Sequence, residues 1–152
     1  MDNLDYIADE VCELRLNVDD MTAEELGFAM ERIYEAGALE CFFTPVTMKK
    51  CRPGTLVTIL TKGDKKEEVL KAAFKHTNTI GIRETQCNRY TLNRHFEEVT
   101  TELGTVRKKV SEGFGVRREK LEFNDLAKIA REKDMSLAEV RRLASKSVEC
   151  GV

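Results

Sequence analysis

The order of strand-like and helix-like patterns in the first 96 residues is the feature that most constrains the fold. Apolar side chains recur at every second position in some segments, as in half-buried strands, and at helical spacing in others. In chain order the pattern predicts a strand, a helix, two strands, a helix and a strand, at residues 11–18, 22–36, 39–46, 56–60, 64–76 and 80–84. This order predicts a ferredoxin-like α+β fold, in which two helices cover one face of an antiparallel sheet.

Local signals mark where the helices begin. Thr22 and Glu25 form a capping-box pattern ahead of the first helix, and Ser136 and Glu139 form another ahead of the last helix. The second helix is predicted to be capped by Asp64 with Glu67.

The remaining chain predicts a smaller extension. Two alternating segments, 105–110 and 116–121, flank a glycine-containing turn and indicate a β-hairpin. Two helical patterns follow, the second beginning near Ser136. We therefore expect a ferredoxin-like lobe in residues 1–96 and a C-terminal β-hairpin with two helices in residues 97–152, packed with that lobe as one unit.

The composition excludes several classes of protein. The net charge of −2 gives no overall basic field for a nucleic acid, and no apolar run approaches the roughly 20 residues that span a bilayer. The acidic N-terminus does not resemble a signal peptide. The five cysteines form no C-x-x-C motif, and Cys12, Cys41 and Cys150 are expected to pack as small apolar residues. These features indicate a cytoplasmic protein that binds neither membrane nor nucleic acid.

A cationic segment follows the second predicted strand. Lys49, Lys50 and Arg52 lie within four positions, and Pro53-Gly54 predicts a turn directly after them. Arginine offers a fork of donors and lysine a compact charge, so this loop suits a phosphate or carboxylate. The alternative is a solvated basic turn without a ligand.

Paired carboxylates follow the first predicted strand. Asp19 and Asp20 stand between the end of that strand and the capping box of the helix. Such a pair suits a hard cation, Mg²⁺ or Mn²⁺, that is shared with substrate phosphates. The alternative is that the carboxylates only complement the start of the helix.

A third polar segment follows the second helix. Thr77 and Thr79 offer hydroxyls and Arg83 a guanidinium, which together suit phosphate oxygens. The alternative is an ordinary helix-terminating turn with local hydroxyl hydrogen bonds. Arg89 and Arg94 follow along the next extended segment as further candidates.

Five strings in a fixed order resemble the C-terminal domain of LarC, the nickel insertase of nickel-pincer nucleotide cofactor biosynthesis. The match runs from about residue 14 to about residue 140, and Glu40, Cys51 and Asn78 stand where that family usually has Asp, Gly and Ser. The strings are residues 16–22 (LNVDDMT), 37–40 (GALE), 48–54 (MKKCRPG), 77–83 (TNTIGIR) and 121–125 (LEFND).

The resemblance implies a specific activity. Members of this family insert nickel into a dithiocarboxylate pyridinium mononucleotide, and they require CTP and a divalent metal. They carry a His-rich N-terminal domain, which is encoded separately in some organisms and which is expected to bring the nickel. The C-terminal domain is similar to a CTP-binding module that forms a trimer or a hexamer. This chain alone is therefore expected to be an incomplete chelatase of the lyase class.

The resemblance also assigns roles to the polar residues. The CTP triphosphate is expected at Lys49, Lys50, Arg52 and Arg83, with Thr77 and Thr79 beside it and Mg²⁺ or Mn²⁺ at Asp19 or Asp20. In an oligomer, Arg89 or Arg94 would reach the nucleotide of a neighbouring subunit. Two other functions stay open at this point: a nucleotide-sensing regulatory oligomer without chemistry of its own, and a purely structural oligomerisation module.

Overall fold

The structure, a computed structural model, describes residues 6–149 and shows two compact units. The N-terminal unit is Ala8–Arg89, and the C-terminal unit comprises residues 6–7 and 90–149. Within residues 6–149, no helix is long and apolar enough to cross a membrane.

The order of elements confirms the predicted fold class. The ferredoxin-like core is followed by a hairpin and two helices. The elements are β1 (Tyr6–Val18), α1 (Ala23–Glu35), β2 (Glu40–Met48), β3 (Arg52–Thr61), α2 (Lys66–His76), β4 (Arg83–Thr101), β5 (Gly104–Gly113), β6 (Val116–Leu121), α3 (Phe123–Lys133) and α4 (Leu137–Glu149). Strand β4 begins at Arg83, three residues later than predicted, and passes from one unit into the other between Arg89 and Tyr90.

The sheet of the N-terminal unit has the strand order β2-β3-β1-β4. Strand β3 pairs antiparallel with both neighbours, so that Val57 lies opposite Leu16 of β1 and Phe43 of β2. This order is that of a split βαβ unit, because each helix connects two strands that are not adjacent in the sheet.

The core of this unit lies between one face of the sheet and both helices. Leu14, Leu16 and Ile59 are fully buried there and belong to the same apolar cluster as Ile33 of α1 and Val69 of α2. Alternate positions of β1 thus supply the core, as the period-two pattern predicted. Cys12 and Cys41 are buried as predicted, whereas Cys150 lies outside the described residues.

Two of the three predicted helix caps are present. The Thr22 hydroxyl accepts from the Glu25 amide at 3.2 Å, and the Glu25 carboxylate accepts from the Thr22 amide at 2.7 Å. Ser136 and Glu139 form the same reciprocal pair ahead of α4. Each box satisfies amides that the first helical turn leaves unpaired.

The predicted cap of α2 by Asp64 is wrong. Residues Gly63–Lys65 form a short 3₁₀ turn, and the residue that precedes the helix is Lys65, which makes no side-chain cap. The extra turn places Asp64 one position too early to accept the amides of the first helical turn.

The predicted chain reversal at Pro53-Gly54 is also wrong in detail. Strand β3 already begins at Arg52, which pairs with Met48, and Pro53 lies opposite Thr47. The chain reverses before β3 begins, in a 3₁₀ turn over Lys49–Cys51. The two lysines therefore lie at the tip of a β-hairpin, and Arg52 lies in the residue pair that closes the turn.

The C-terminal unit has its own small core. Val106 of β5 packs with Leu126 of α3 and Val140 of α4, and all three side chains are buried. Arg107 and Asp125 join β5 to α3 through two side-chain hydrogen bonds of 2.9 Å, and the Arg107 amide donates to the same carboxylate. The Asp of the LEFND string therefore has a structural role within this unit.

The Arg107 guanidinium and amide hold the pKa of the Asp125 carboxyl below its ordinary value of 3.8. A lowered folded-state pKa stabilises the protein above pH 3.8, and this contribution is lost as the pH falls through the folded-state value. Asp125→Asn should therefore lower the unfolding temperature at pH 7, and the difference from wild type should shrink in acid. Thermal unfolding of both proteins between pH 7 and pH 3 measures this, with Glu132→Gln on the same helix as control. A gap that stays constant with pH would contradict the assignment.

Candidate functional site

Three loops of the N-terminal unit meet at one end of its sheet. Arg52 Nη1 lies 3.3 Å from Asp19 Oδ2 and joins the β2–β3 hairpin to the end of β1. Arg83 Nη2 donates to Asn17 Oδ1 at 2.7 Å, and Asn78 Nδ2 donates to the Asp20 carbonyl at 3.3 Å. We call these residues with Lys49 and Lys50 the polar cluster. The three segments singled out in the sequence are thus brought together.

The hairpin tip carries cations without acidic partners. Lys49 and Lys50 are exposed, and within residues 6–149 neither forms an ion pair or a side-chain hydrogen bond. The Arg52 side chain is 55% exposed, whereas the Asp19 carboxylate that it contacts is only 21% exposed. Positive charge therefore faces solvent at the edge of the cluster, where it is available to an anion.

The hairpin has an unusual backbone. Lys50 and Cys51 both have left-handed conformations, with φ of 61° and 58°. At Gly54 there is no room for a Cβ atom, which would lie 2.5 Å from the Met48 sulfur and 2.9 Å from the Val18 carbonyl. Close packing at Gly54 and the two left-handed residues together fix the direction in which the lysines leave the sheet.

Cys51→Gly should stabilise the protein by about 0.5–1 kcal/mol. A residue with a Cβ in the left-handed region costs about 1–2 kcal/mol, which glycine avoids. Part of this gain is offset because glycine loses more conformational entropy on folding. The same conformation accounts for the glycine that the LarC pattern favours at this position. Urea denaturation measures the effect, and Cys51→Ala, which removes the thiol but keeps a Cβ, is the control. Equal stability of the Gly and Ala variants would contradict the explanation.

The predicted hydroxyl ligands have local partners. The Thr77 side chain is buried and donates to the Ala73 carbonyl at 2.8 Å at the end of α2. The Thr79 hydroxyl donates to the Gly81 carbonyl at 2.9 Å. Both hydroxyls thus shape the loop, and a direct contact with a nucleotide stays a prediction for each.

The two later arginines, Arg89 and Arg94, lie further along β4 than Arg83. Arg89 is held by Asp9 through hydrogen bonds of 2.8 Å and 2.5 Å, and this guanidinium lowers the pKa of the Asp9 carboxyl. Arg94 belongs to the C-terminal unit, where it is exposed and lies opposite Ser111 of β5. Their proposed reach to a neighbouring subunit stays a prediction.

Sequence reasoning missed a groove between α1 and α2 beside the polar cluster. It has a volume of about 470 Å³ and is lined by Met21, Glu24, Glu25, Phe28, Lys75, His76, Thr77 and Asn78. Phe28 and His76 are 48 positions apart in sequence, so no local motif joins them. Asn17 was also missed as a partner of Arg83, because only the pairing of β1 with β4 brings the two together.

The chain is similar to nickel insertion proteins over almost its whole length. A sequence profile of the nickel insertion protein family matches residues 2–141. The pyridinium-3,5-bisthiocarboxylic acid mononucleotide nickel insertion protein of Acetivibrio thermocellus is 42% identical over 142 residues, which is 93% of this chain and 35% of that protein. A putative nickel insertion protein of Enterococcus faecalis is 38% identical over 135 residues, or 89% of this chain and 41% of that protein.

A solved structure has the same fold. It is the apo form of LarC2, the C-terminal domain of a cyclometallase involved in the synthesis of the NPN cofactor of lactate racemase. The TM-score is 0.87 at 35% sequence identity, and the match covers 94% of this chain and 99% of that one.

The fold and the polar cluster thus define a ferredoxin-like domain with a hairpin-and-helix extension and an exposed cationic loop. The chain belongs to the nickel insertion protein family, whose relatives include proteins of nickel-pincer cofactor biosynthesis. It spans about two fifths or less of the length of these curated relatives.

Proposed function

We propose that this chain is the CTP- and divalent-metal-binding C-terminal part of a nickel insertase that installs nickel in the pincer mononucleotide. The observation that carries the proposal is the polar cluster, in which Arg52 contacts Asp19 and Arg83 contacts Asn17. Beside these contacts, Lys49 and Lys50 are exposed and form no ion pair within residues 6–149, in a chain of this family. Nickel is the substrate metal, and a His-rich preceding domain, in the same or a separate chain, is its proposed source.

Each part of the cluster has a role in this proposal. Lys49 and Lys50 bind the outer phosphates as mobile point charges at the hairpin tip. Arg52 and Arg83 present planar donors that suit phosphate oxygens, and each is already oriented by a neighbour, Asp19 or Asn17. Oriented donors lose less conformational entropy when a nucleotide binds.

The carboxylates fit a hard divalent cation in part. Asp19 and Asp20 supply oxygen ligands, which Mg²⁺ and Mn²⁺ prefer. Within residues 6–149, no group of three His, Cys, Asp or Glu side chains is arranged to hold a metal ion. The phosphates and water would therefore complete the coordination, so the cation is proposed to bind together with the nucleotide. When bound, it would neutralise phosphate charge.

Asp19→Asn tests the metal site by calorimetry. The variant keeps the size of the side chain and a hydrogen-bond acceptor for Arg52, but it loses the charge that attracts the cation. CTP binding should then no longer strengthen when Mn²⁺ is added, whereas wild type should bind more tightly with Mn²⁺ than without it. Glu67→Gln, on the exposed side of α2, is the control. The same Mn²⁺ dependence in Asp19→Asn, Asp20→Asn and wild type would contradict the proposed metal ligands.

Nucleotide turnover separates this function from nucleotide sensing. With the preceding domain and the pincer mononucleotide present, an insertase should consume CTP as nickel is incorporated. A regulatory oligomer should bind CTP without consuming it. The oligomer itself is proposed to be a trimer or a hexamer, and sedimentation of the purified chain measures it.

A further inference from the structure

We infer that one face of the sheet in the C-terminal unit binds the pyridinium mononucleotide on which the proposed insertase acts. The inference rests on the proposed function, because it gives the substrate named there a binding site of its own. The register of strands β4, β5 and β6 places residues of one face side by side in two adjacent rows. The rows are Arg94-Ser111-Arg118 and Phe96-Lys109-Lys120, and we call these six residues the cationic face.

The cations of this face have no acidic partners. Within residues 6–149, no ion pair is formed by Arg94, Lys109, Arg118 or Lys120. The opposite face of the same strands is balanced in charge, since Lys108 there contacts Glu97 at 3.0 Å and Glu119 at 2.9 Å. Unpaired positive charge is thus confined to one face, although the whole chain has a net charge of −2.

Two of the lysines form an unfavourable pair. Lys109 and Lys120 lie directly opposite each other on adjacent antiparallel strands. Like charges at opposed positions destabilise a sheet, because their Cβ atoms are only about 5 Å apart. This pair contributes nothing to the stability of the fold, and such departures from local stability are expected at functional sites. An anion bound between the two ammonium groups would offset their repulsion.

An aromatic ring lies in the same row as the lysines. Phe96 is 56% exposed and lies opposite Lys109. The Arg107 guanidinium lies 5.9 Å from the centroid of this ring, and Asp125 in turn fixes Arg107 through two side-chain hydrogen bonds. Phe96 therefore offers the exposed part of its π-surface to a planar ligand. A pyridinium ring is planar and also cationic, and the π-face of a phenyl ring attracts such a cation.

The dimensions of the cationic face favour a small ligand over a macromolecule. Strands about 4.8 Å apart and residues about 3.3 Å apart along each strand give the two rows a size of about 10 Å by 7 Å. On the same face, the acidic Glu98 follows on β4 and the apolar Val116 precedes on β6. A single mononucleotide has about this size, whereas a stable protein interface covers about 800 Å² of each partner.

The charges of the ligand complement those of the face. The substrate carries two thiocarboxylic acid groups on its pyridinium ring and a phosphate on its ribose. When these groups are ionised, three anionic groups surround a cationic ring. The cationic face presents the reverse pattern, a neutral ring beside two guanidinium and two ammonium groups.

Binding of nicotinic acid mononucleotide to the intact chain tests the inference by calorimetry. This probe is a pyridinium mononucleotide with one carboxylate, and ribose 5-phosphate is the matched probe without the ring. Phe96→Ala should weaken binding of nicotinic acid mononucleotide about tenfold or more, because the stacking surface is lost. The double variant Lys109→Gln/Lys120→Gln keeps the length of both side chains but removes their charges, and it should weaken binding about tenfold or more as well.

Matched controls change similar side chains elsewhere in the chain. Phe74→Ala removes an exposed ring on α2, and Lys71→Gln/Lys128→Gln neutralises two exposed lysines that pair with carboxylates. Both controls should bind the probe as wild type does. The unfolding temperature of Lys109→Gln/Lys120→Gln should equal or exceed that of wild type, because a repulsion is removed, so a lost affinity is not lost folding.

The outcomes separate the cationic face from the proposed function. If the wild type does not bind the probe, or if Phe96→Ala and the double lysine variant both match the wild type, the inference is overturned. Equal binding of nicotinic acid mononucleotide and ribose 5-phosphate would show a plain phosphate site and would also overturn it. In each case the titration with CTP and Mn²⁺ decides the proposed function separately, and both variants should keep the wild-type affinity for CTP.

Discussion

Replacing Arg52 with alanine is expected to weaken the binding of CTP with Mn²⁺ by about ten- to a hundredfold. Hydrogen bonds from a charged donor to phosphate contribute about 1.5–3 kcal/mol, and 1.4 kcal/mol is a factor of ten in affinity. The substitution also removes the partner that orients Asp19, 3.3 Å away, so metal-dependent binding should suffer as well. Isothermal titration calorimetry measures the loss.

Two further variants locate the effect. Lys49→Ala should also weaken CTP binding, because this lysine has no acidic partner within residues 6–149 that would compete with phosphate. Lys71→Ala removes an exposed cation on α2, where the lysine pairs with Glu67 at 2.7 Å, and should leave binding unchanged. Equal losses in the Lys71 and Arg52 variants would show a general charge effect and not a site at the hairpin.

Leu14→Ala is expected to destabilise the protein by about 2–5 kcal/mol, the range for a leucine truncated in a close-packed core. Leu14 is completely buried in the cluster that joins β1 to both helices. Because typical domains have a free energy of unfolding of about 5–15 kcal/mol, this single change would remove a large part of it. Urea denaturation followed by circular dichroism measures the change.

The neighbouring residue supplies a matched control. Arg15 follows Leu14 on β1 but points to the other face of the sheet, where its side chain is 50% exposed and pairs with Glu13. Arg15→Ala should change the free energy of unfolding by less than about 1 kcal/mol. Similar effects of the two substitutions would mean that β1 does not bury its even-numbered face.

The sequence was sufficient for the fold because its signals are local and repeated. Alternation along residues 11–18 placed Leu14 and Leu16 on the buried face, and the Thr22 and Ser136 capping boxes marked helix starts that the structure confirms. The three segments of the polar cluster were also found, since each carries its chemistry in consecutive residues. Their convergence follows from the topology, which brings the end of β1, the β2–β3 hairpin and the α2–β4 loop to one end of the sheet.

The sequence failed where geometry depends on distant residues or on rare backbone conformations. Pro53-Gly54 is a common turn signal, but Lys50 and Cys51 adopt the left-handed conformation in place of a glycine, which no propensity predicts. Position 54 requires a glycine because Met48 and Val18 leave no room for a Cβ atom there. This close packing exists only in the folded hairpin. The groove between the helices likewise exists only after α1 and α2 have packed on the sheet.

The membership of the nickel insertion protein family and the polar cluster support the same proposal from independent directions. The names of the relatives describe full-length proteins, and this chain spans only part of their length. The polar cluster, in contrast, consists of contacts within this chain, and the proposal drawn from it concerns this chain alone. That claim is binding of a nucleotide with a divalent cation.

A calorimetric titration of the purified chain with CTP, with and without Mn²⁺ or Mg²⁺, tests this claim most directly. ATP and GTP serve as controls. The proposal predicts metal-dependent binding of CTP that is clearly tighter than that of either purine nucleotide. Absence of CTP binding to the folded chain, or equal binding of all three nucleotides, would contradict it.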